Sequence, residues 1–272
     1  MRVGLVQLNS GDDPVANLPV TLAYIREAAA GGAIFVLTPE VTNFVSMDRK
    51  LAGRVLSHEA DDPTLAALRQ EARALGIWLL IGSLALKSDD ADGRLANRSF
   101  LVGPDGAIVA RYDKIHMFDV EIDENESYRE SAGYRPGNRA VLAQTDFAQI
   151  GMAICYDVRF PHLFRALAQA GATILTNPAA FSPVTGKAHW RALLRARAIE
   201  NGAFVLAPAQ CGHHGGKRYT HGHSLAVAPW GEVLADGGSA PGVTLFNLEL
   251  TDVNKARSRV PSLSHDRKFT GP

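Results

Sequence analysis

The 272-residue chain is 46% hydrophobic and 21% charged, and its 28 basic and 28 acidic residues balance at a pI of about 7.1. This composition excludes a disordered or collagen-like chain and gives no general attraction for nucleic acid or an anionic membrane. A chain of this length buries a substantial core, and its two cysteines, Cys155 and Cys211, exclude a disulfide framework.

Residues 3–8 read as a buried strand. The polar run from Asn9 to Pro14 ends it too early for a secretory signal. No stretch approaches the ~20 apolar residues of a membrane span, so a cytoplasmic protein with reduced thiols is expected. A helix follows with Asn17 as its N-cap and Leu18, Leu22, Ile25 and Ala29 along one face; Gly31-Gly32 stops it. Residues 33–37 form the next buried strand. Asp62-Pro63 caps and opens a second helix, with Leu65, Leu68, Ala72 and Leu75 as its stripe and Gly76 closing it. From Trp78 the period changes to that of a meander, with strands at 78–86, 99–102 and 107–112 separated by Asp92-Gly93 and Pro104-Asp105-Gly106.

The second half repeats this order. Strands are predicted at 147–154, 172–176, 203–208, 224–228, 232–235 and 243–248, and helices at 160–170 and 188–200. Each half runs β-α-β-α and then a meander, with no Ser/Pro/Gly-rich linker between them. One domain over residues 1–250 is therefore expected, built as two facing mixed sheets with helices on both outer faces. Residues 251–272 are polar with little periodicity and read as a C-terminal tail lying on a neighbouring subunit.

Cys155 ends a strand and opens a helix, where a sharp turn presents a side chain to substrate and the Tyr156 N–H faces a developing oxyanion. The helix N-terminus is expected to lower the thiol pKa; an inert buried cysteine remains the alternative. No histidine stands out as its base. Glu40 follows the apolar 33–37 run, at the strand end where ligand sites of α/β sheets lie. Packed beside Pro39, Val41 and Phe44, its carboxyl is expected to have a raised pKa suited to proton transfer, unless it is an exposed loop residue. Lys114, flanked by Ile115 and Met117-Phe118, is either a solvated charge or an enclosed ammonium able to stabilise a negative oxygen.

The segments Leu37-Thr38-Pro39-Glu40, Tyr112-Asp113-Lys114-Ile115-His116 and Ile154-Cys155-Tyr156-Asp157-Val158-Arg159-Phe160-Pro161 resemble the Glu, Lys and Cys motifs of the nitrilase (carbon–nitrogen hydrolase) superfamily. They occur in that family's order, and the resemblance covers nearly the whole chain. It implies an α/β fold, a four-layer αββα sandwich of two mixed β-sheets with outer helices. It also implies a homodimer or higher homo-oligomer, a Glu40-Lys114-Cys155 triad, and a second active-site glutamate. Glu130, ahead of Gly133-Tyr134-Arg135-Pro136-Gly137, matches that last motif best; Glu121, Glu124 and Glu126 are its rivals.

The stretches 177–181, 185–190, 195–200 and 209–212, with His221-Gly222-His223-Ser224, are similar to the Nit branch, and within it to the deaminated glutathione amidase type more than the ω-amidase type. The chain departs from the branch at Lys187, where proline is usual, and in Val41-Thr42-Asn43-Phe44 after Glu40. The resemblance implies a small-molecule amide and water as partners, with Tyr156, Arg159, Ala180, Phe181 and Lys187 at the oxyanion and substrate positions. Arg159 and Lys187 are candidates for a substrate carboxylate, though Arg159 serves equally well as a brace for the turn through an ion pair.

No metal or cofactor is expected. Four histidines and a cysteine lie within residues 211–223, but their spacing matches no common zinc arrangement and the glycines suggest a turn between strands. His189-Trp190 reads as helix packing, and Arg191, Arg195 and Arg197 as a solvated or subunit-facing surface. The alternatives to a thiol amidase are an ω-amidase, N-carbamoylase or nitrilase of the same superfamily, or an inactive binding scaffold, which need not retain Glu40, Lys114 and Cys155.

Overall fold

The computed structural model describes residues 1–122, 124 and 126–271. β1 (Arg2–Gln7), α1 (Pro14–Ala30) and β2 (Phe35–Leu37) open the chain, followed by α2 (Arg49–Val55), α3 (Pro63–Leu75), β3 (Trp78–Lys87), β4 (Leu95–Val102) and β5 (Ile108–Asp113). A small hairpin of β6 (Asp119–Glu121) and β7 (Ser127–Arg129) and the short β8 (Tyr134–Arg135) lead to the second half. That half holds β9 (Val141–Gln144), β10 (Gln149–Met152), α4 (Pro161–Gln169) and β11 (Ile174–Thr176). Next, α5 (Pro183–Thr185) runs through a π-helical turn, Gly186–Trp190, into α6 (Arg191–Asn201). β12 (Phe204–Ala207), the hairpin β13 (Cys211–His213) and β14 (Tyr219–His221), β15 (Leu225–Val227), β16 (Val233–Asp236), β17 (Gly242–Asn247) and α7 (Thr251–Arg259) complete it.

Two mixed sheets result, ordered β17-β1-β2-β3-β4-β5, with β8 beside β4, and β16-β15-β12-β11-β10-β9. Their central strands, β1, β2 and β3 in one sheet and β10, β11, β12 and β15 in the other, are buried on both faces, which is why they read as continuous apolar runs. In the first sheet, Val3, Leu5, Phe35, Leu37, Leu80 and Leu101 face the second sheet in one large core. The alternate residues, among them Val6, Val36, Leu79, Ile81 and Phe100, pack with Ile25 and Ala28 of α1 and Leu65, Leu68 and Ala72 of α3. On the far side, Leu163, Phe164 and Leu167 of α4 and Leu194 and Ala198 of α6 close the second sheet. Burying each such Leu or Phe side chain stabilises the fold by ~1.5–3 kcal/mol, and the layers stack αββα.

Local signals mostly act as the residues dictate. Asp62 caps α3, accepting from the Leu65 N–H at 2.7 Å, and Gly76 ends it in the left-handed conformation at φ 64°. The first helix departs from expectation. It starts at Pro14 with Asp13 as N-cap, whose carboxylate accepts from the Val15 N–H at 2.9 Å. Asn17 sits inside the first turn and ties the Gly11 backbone to the Asn43 carbonyl. Proline at the first helical position set the earlier start.

The C-terminal segment, read from the sequence as a tail with little periodicity, begins with a helix. Thr251–Arg259 is a helix that buries Val253 and Ala256, and Arg257 donates to the Ala172 and Asn201 carbonyls of the same chain. Beyond it, Asp266 pairs with Arg165 and Gln169 of α4. Two buried positions on a polar nine-residue helix leave almost no apolar period to read. Arg197 corrects the expectation of a solvated surface: it is buried, and its Nε donates to the Val158 carbonyl at 2.8 Å.

Candidate active site

Three strand ends build the site. Glu40 follows β2, Lys114 follows β5 and Cys155 follows β10, the last two only one and three residues beyond their strands. The parallel pairing of β2 with its neighbours and of β10 with β11 puts the Glu40 and Cys155 turns beyond the carboxyl ends of the strands of their respective sheets. Two non-glycine residues there hold positive φ, Val41 at 46° and Cys155 at 49°, so both turns are conformationally costly and held by their surroundings.

The restraints on the Cys155 turn are visible. Its N–H donates to the Pro178 carbonyl at 2.9 Å, and its carbonyl accepts from Asn177 Nδ2 at 3.3 Å. Asp157, fully buried, accepts from the Ile154 N–H at 2.9 Å, from Tyr112 Oη at 2.6 Å and from the His116 N–H at 3.1 Å. His116 Nδ1 is 2.7 Å from the same carboxylate. One carboxylate thus ties the cysteine turn to both flanks of Lys114. The Glu40 turn is fixed by Ser83, which accepts from the Val41 N–H, and by Gly82, where an added Cβ would stand 2.0 Å from the Thr38 carbonyl oxygen.

The functional groups converge. Lys114 Nζ lies 2.9 Å from Glu40 Oε1 and 2.8 Å from both oxygens of Glu130. Glu40 Oε1 also accepts from Asn97 Nδ2 at 2.9 Å, and Oε2 from the Ala180 N–H at 2.8 Å. Glu130 Oε2 accepts from the Phe118 N–H at 2.6 Å. Glu40, Lys114 and Cys155 are only 4%, 2% and 7% exposed, yet all three, with Glu130 and Ala180, line one cavity of about 370 Å³.

Burial sets the proton positions, and it corrects two expectations. Burial pushes the Glu40 carboxyl up, but the Lys114 ammonium, with hydrogen bonds from Lys114, the Cys155 thiol and Asn97, outweighs it and holds Glu40 below its ordinary value. Cys155 is not lowered by its helical turn. Burial and the adjacent Glu40 charge raise it well above the ordinary thiol value, against the pull of Lys114. Glu130 is raised by burial and by Glu40 despite Lys114. Lys114 itself, although burial opposes its charge, is raised by the two glutamates. The resting site therefore holds a thiol, a Glu40 carboxylate and an ammonium, with Glu130 the first carboxylate to take a proton as pH falls.

Of the glutamates in this stretch, Glu130 is the one whose carboxylate meets Lys114, and Glu124 is exposed. Glu121 is exposed and paired with Arg129, and Glu126 accepts from Tyr128 Oη and Ser182 Oγ. Of the other expected site residues, Ala180 lines the cavity and Tyr156 is the second residue of the 3-10 turn that Cys155 opens. Phe181 is buried against Trp190, and the Arg159 guanidinium lies 5.5 Å over its ring and 5.9 Å over Tyr156, beside His189 and without a carboxylate partner among the described residues. Lys187 is exposed on the π-helical turn, away from the cavity wall. The histidines of residues 211–223 are engaged locally. His214 contacts the Ser10 carbonyl and Thr220, and His223 pairs with Asp236.

Three residues of the site had no role in the sequence reading. Asn97 is a lone carboxamide in a strand that extends further back than its apolar run indicates, and Asp157 stood only as a motif letter. Arg218 was hidden in the histidine-rich loop. A carboxamide two residues ahead of an apolar run carries no signal of its own, so Asn97 became legible only where folding sets it beside Glu40.

The chain belongs to the carbon–nitrogen hydrolase family: the pattern described as Carbon-nitrogen hydrolase matches residues 2–258. It is 40% identical to the deaminated glutathione amidase of Yersinia enterocolitica, over 98% of this chain and 93% of that one. The structure superposes on the C. elegans NitFhit protein with a TM-score of 0.90 at 34% identity, covering 98% of this chain and 65% of the other. It also matches a mutant amidase from Nesterenkonia sp. AN1, at a TM-score of 0.81 and 28% identity, over 98% of this chain and 94% of that one. In that protein the acetamide moiety of fluoroacetamide is covalently added at the active site cysteine. Among the described residues, no helix is long and apolar enough to cross a membrane.

Proposed function

We propose that this chain is a thiol amidase that hydrolyses a small, carboxylate-bearing amide of the deaminated glutathione kind through a thioester on Cys155. The observation that carries the reading is the Glu40 carboxylate bound to the Lys114 ammonium at 2.9 Å, with Cys155 lining the same cavity. The name of the relative at 40% identity supports the substrate class.

Because the resting sulfur keeps its proton, a base is required. Glu40 takes the Cys155 proton as the sulfur attacks the amide carbonyl. The oxyanion is held by Lys114 and the Tyr156 N–H, which sits in the first turn after the nucleophile, where N–H groups lack helical partners. Such a donor typically contributes ~3–4 kcal/mol to the transition state. Glu40 returns its proton to the leaving amine, the carbon–nitrogen bond breaks and a thioester remains. A water then gives its proton to Glu40 and adds to the thioester; the acid departs and the thiol is regenerated. Glu130 keeps Lys114 charged and in place.

The reading places one catalytic unit over residues 1–250, with the C-terminal segment as a brace, in a cytoplasmic homo-oligomer with a small amide and water as its partners. The half-exposed Ile199, Trp230 and Val260 support an association surface, and the two free thiols support a reducing compartment. The test is the mass of enzyme quenched during turnover of a slow carboxylate-bearing amide. The peptide containing Cys155 should gain the acyl mass, and Cys155→Ser should neither gain it nor turn over. Turnover without acylation in the wild type, or near-normal turnover by Cys155→Ser, overturns the reading.

A further inference from the structure

We propose that Arg218 is the specificity residue of this site, taking the carboxylate of the substrate on its guanidinium; the inference rests on the amidase reading above. Arg218 lines the same cavity as Cys155. Its Nη2 donates to the Ala180 carbonyl at 2.6 Å, and the N–H of that same Ala180 holds Glu40. Its guanidinium carbon lies 5.1 Å over the Tyr128 ring, which fixes the plane of the group. Its other terminal nitrogen, Nη1, is buried and has no hydrogen-bond acceptor. Buried N–H groups of a charged side chain are rarely left without partners.

The remaining cations of the cavity wall are differently placed. Arg94 is paired with Asp92 and Arg129 with Glu121, while Lys114 is engaged by Glu40 and Glu130. Arg49 is exposed and reaches only the Arg129 carbonyl, at 3.5 Å. Among the described residues Arg218 has no ion-pair partner, so it combines an uncompensated charge with a buried free donor, on the residue that orients the catalytic carboxylate. A carboxylate satisfies both, because guanidinium and carboxylate match in plane and spacing. The expected cations Arg159 and Lys187 lack this combination: neither lines the cavity, and Lys187 faces solvent.

The test compares the monoamide of a dicarboxylic acid with the neutral amide in which a methyl group replaces the carboxylate. The ratio of their kcat/KM values is measured for wild type, Arg218→Met, Arg218→Lys and the exposed control Arg49→Met. In Arg218→Met the ratio should fall on the order of 10- to 100-fold, chiefly through KM of the acidic substrate. Arg218→Lys keeps the charge but not the two-nitrogen fork, and should recover part of it. Arg49→Met should leave the ratio in place. A ratio that survives in both Arg218 variants, or falls equally in Arg49→Met, overturns the assignment. A wild type with no preference for the acidic amide overturns it together with the substrate class, whereas acylation of Cys155 by the neutral amide in that case keeps the thiol mechanism standing.

Discussion

Replacing Glu40 with glutamine separates the chemistry of this site from its stability. Donors stand at both carboxylate oxygens: Lys114 and Asn97 at Oε1, and the Ala180 N–H at Oε2. A carboxamide offers one oxygen, so whichever way it turns, its NH₂ faces a donor and at least one buried hydrogen bond is lost, at about 1–3 kcal/mol. The ~3–5 kcal/mol that follows from stranding a buried charge is not incurred in full, because Lys114 keeps both oxygens of Glu130. Glu40→Gln should therefore fold, with a melting temperature lower by roughly 2–5 °C. Loss of the base should lower kcat by ~10²–10⁴-fold. The thiol should respond in the opposite sense. Glu40 raises the Cys155 pKa through its charge and its hydrogen bond, while Lys114 lowers it. With the carboxylate gone and the ammonium retained, the midpoint of thiolate formation should move down. Thiolate absorbance and the pH dependence of alkylation by iodoacetamide report that midpoint on the same samples. A midpoint that stays or rises, or a kcat within a few-fold of wild type, refutes the assignment of Glu40 as the base acting on this sulfur.

Gly82→Ala places a Cβ 2.0 Å from the Thr38 carbonyl oxygen and 2.5 Å from that of Pro39, so it should cost ~3 kcal/mol or more by chemical denaturation and should lower turnover by displacing the Glu40 turn. His214, buried against Ser10 and Thr220, has its pKa pushed down from 6.5 to about 4. The unfolded chain binds the proton first, so the stability tied to neutral His214 is complete above 6.5 and is lost as pH falls toward about 4. Melting temperatures of His214→Gln should fall less steeply than those of wild type across that window.

Much of this was legible because the central strands of both sheets are buried on both faces and read as continuous apolar runs, while α3 and α4 each carry one apolar stripe. The Glu40, Lys114 and Cys155 positions were readable as strand ends, since each lies within three residues of one. What the sequence could not carry was the outcome of opposed forces. Apolar neighbours of Glu40 argue for a raised carboxyl, and the start of a helical turn at Cys155 argues for a lowered thiol. Lys114 lies 74 residues from Glu40 along the chain, and only folding sets it 2.9 Å from that carboxylate. There the ammonium together with the hydrogen bonds outweighs desolvation at Glu40, and at Cys155 burial together with the Glu40 charge outweighs the ammonium. Arg218 was illegible for a related reason. It stands between Lys217 and Tyr219 in a glycine- and histidine-rich loop, and its charge acquires meaning only where Ala180, 38 residues away along the chain, occupies one of its nitrogens and leaves another free. The identity of a strand survives local reading because it depends on its own residues. The protonation and free valence of a buried side chain depend on which distant partner folding delivers, and those partners are what the substitutions at Glu40 and Arg218 remove one at a time.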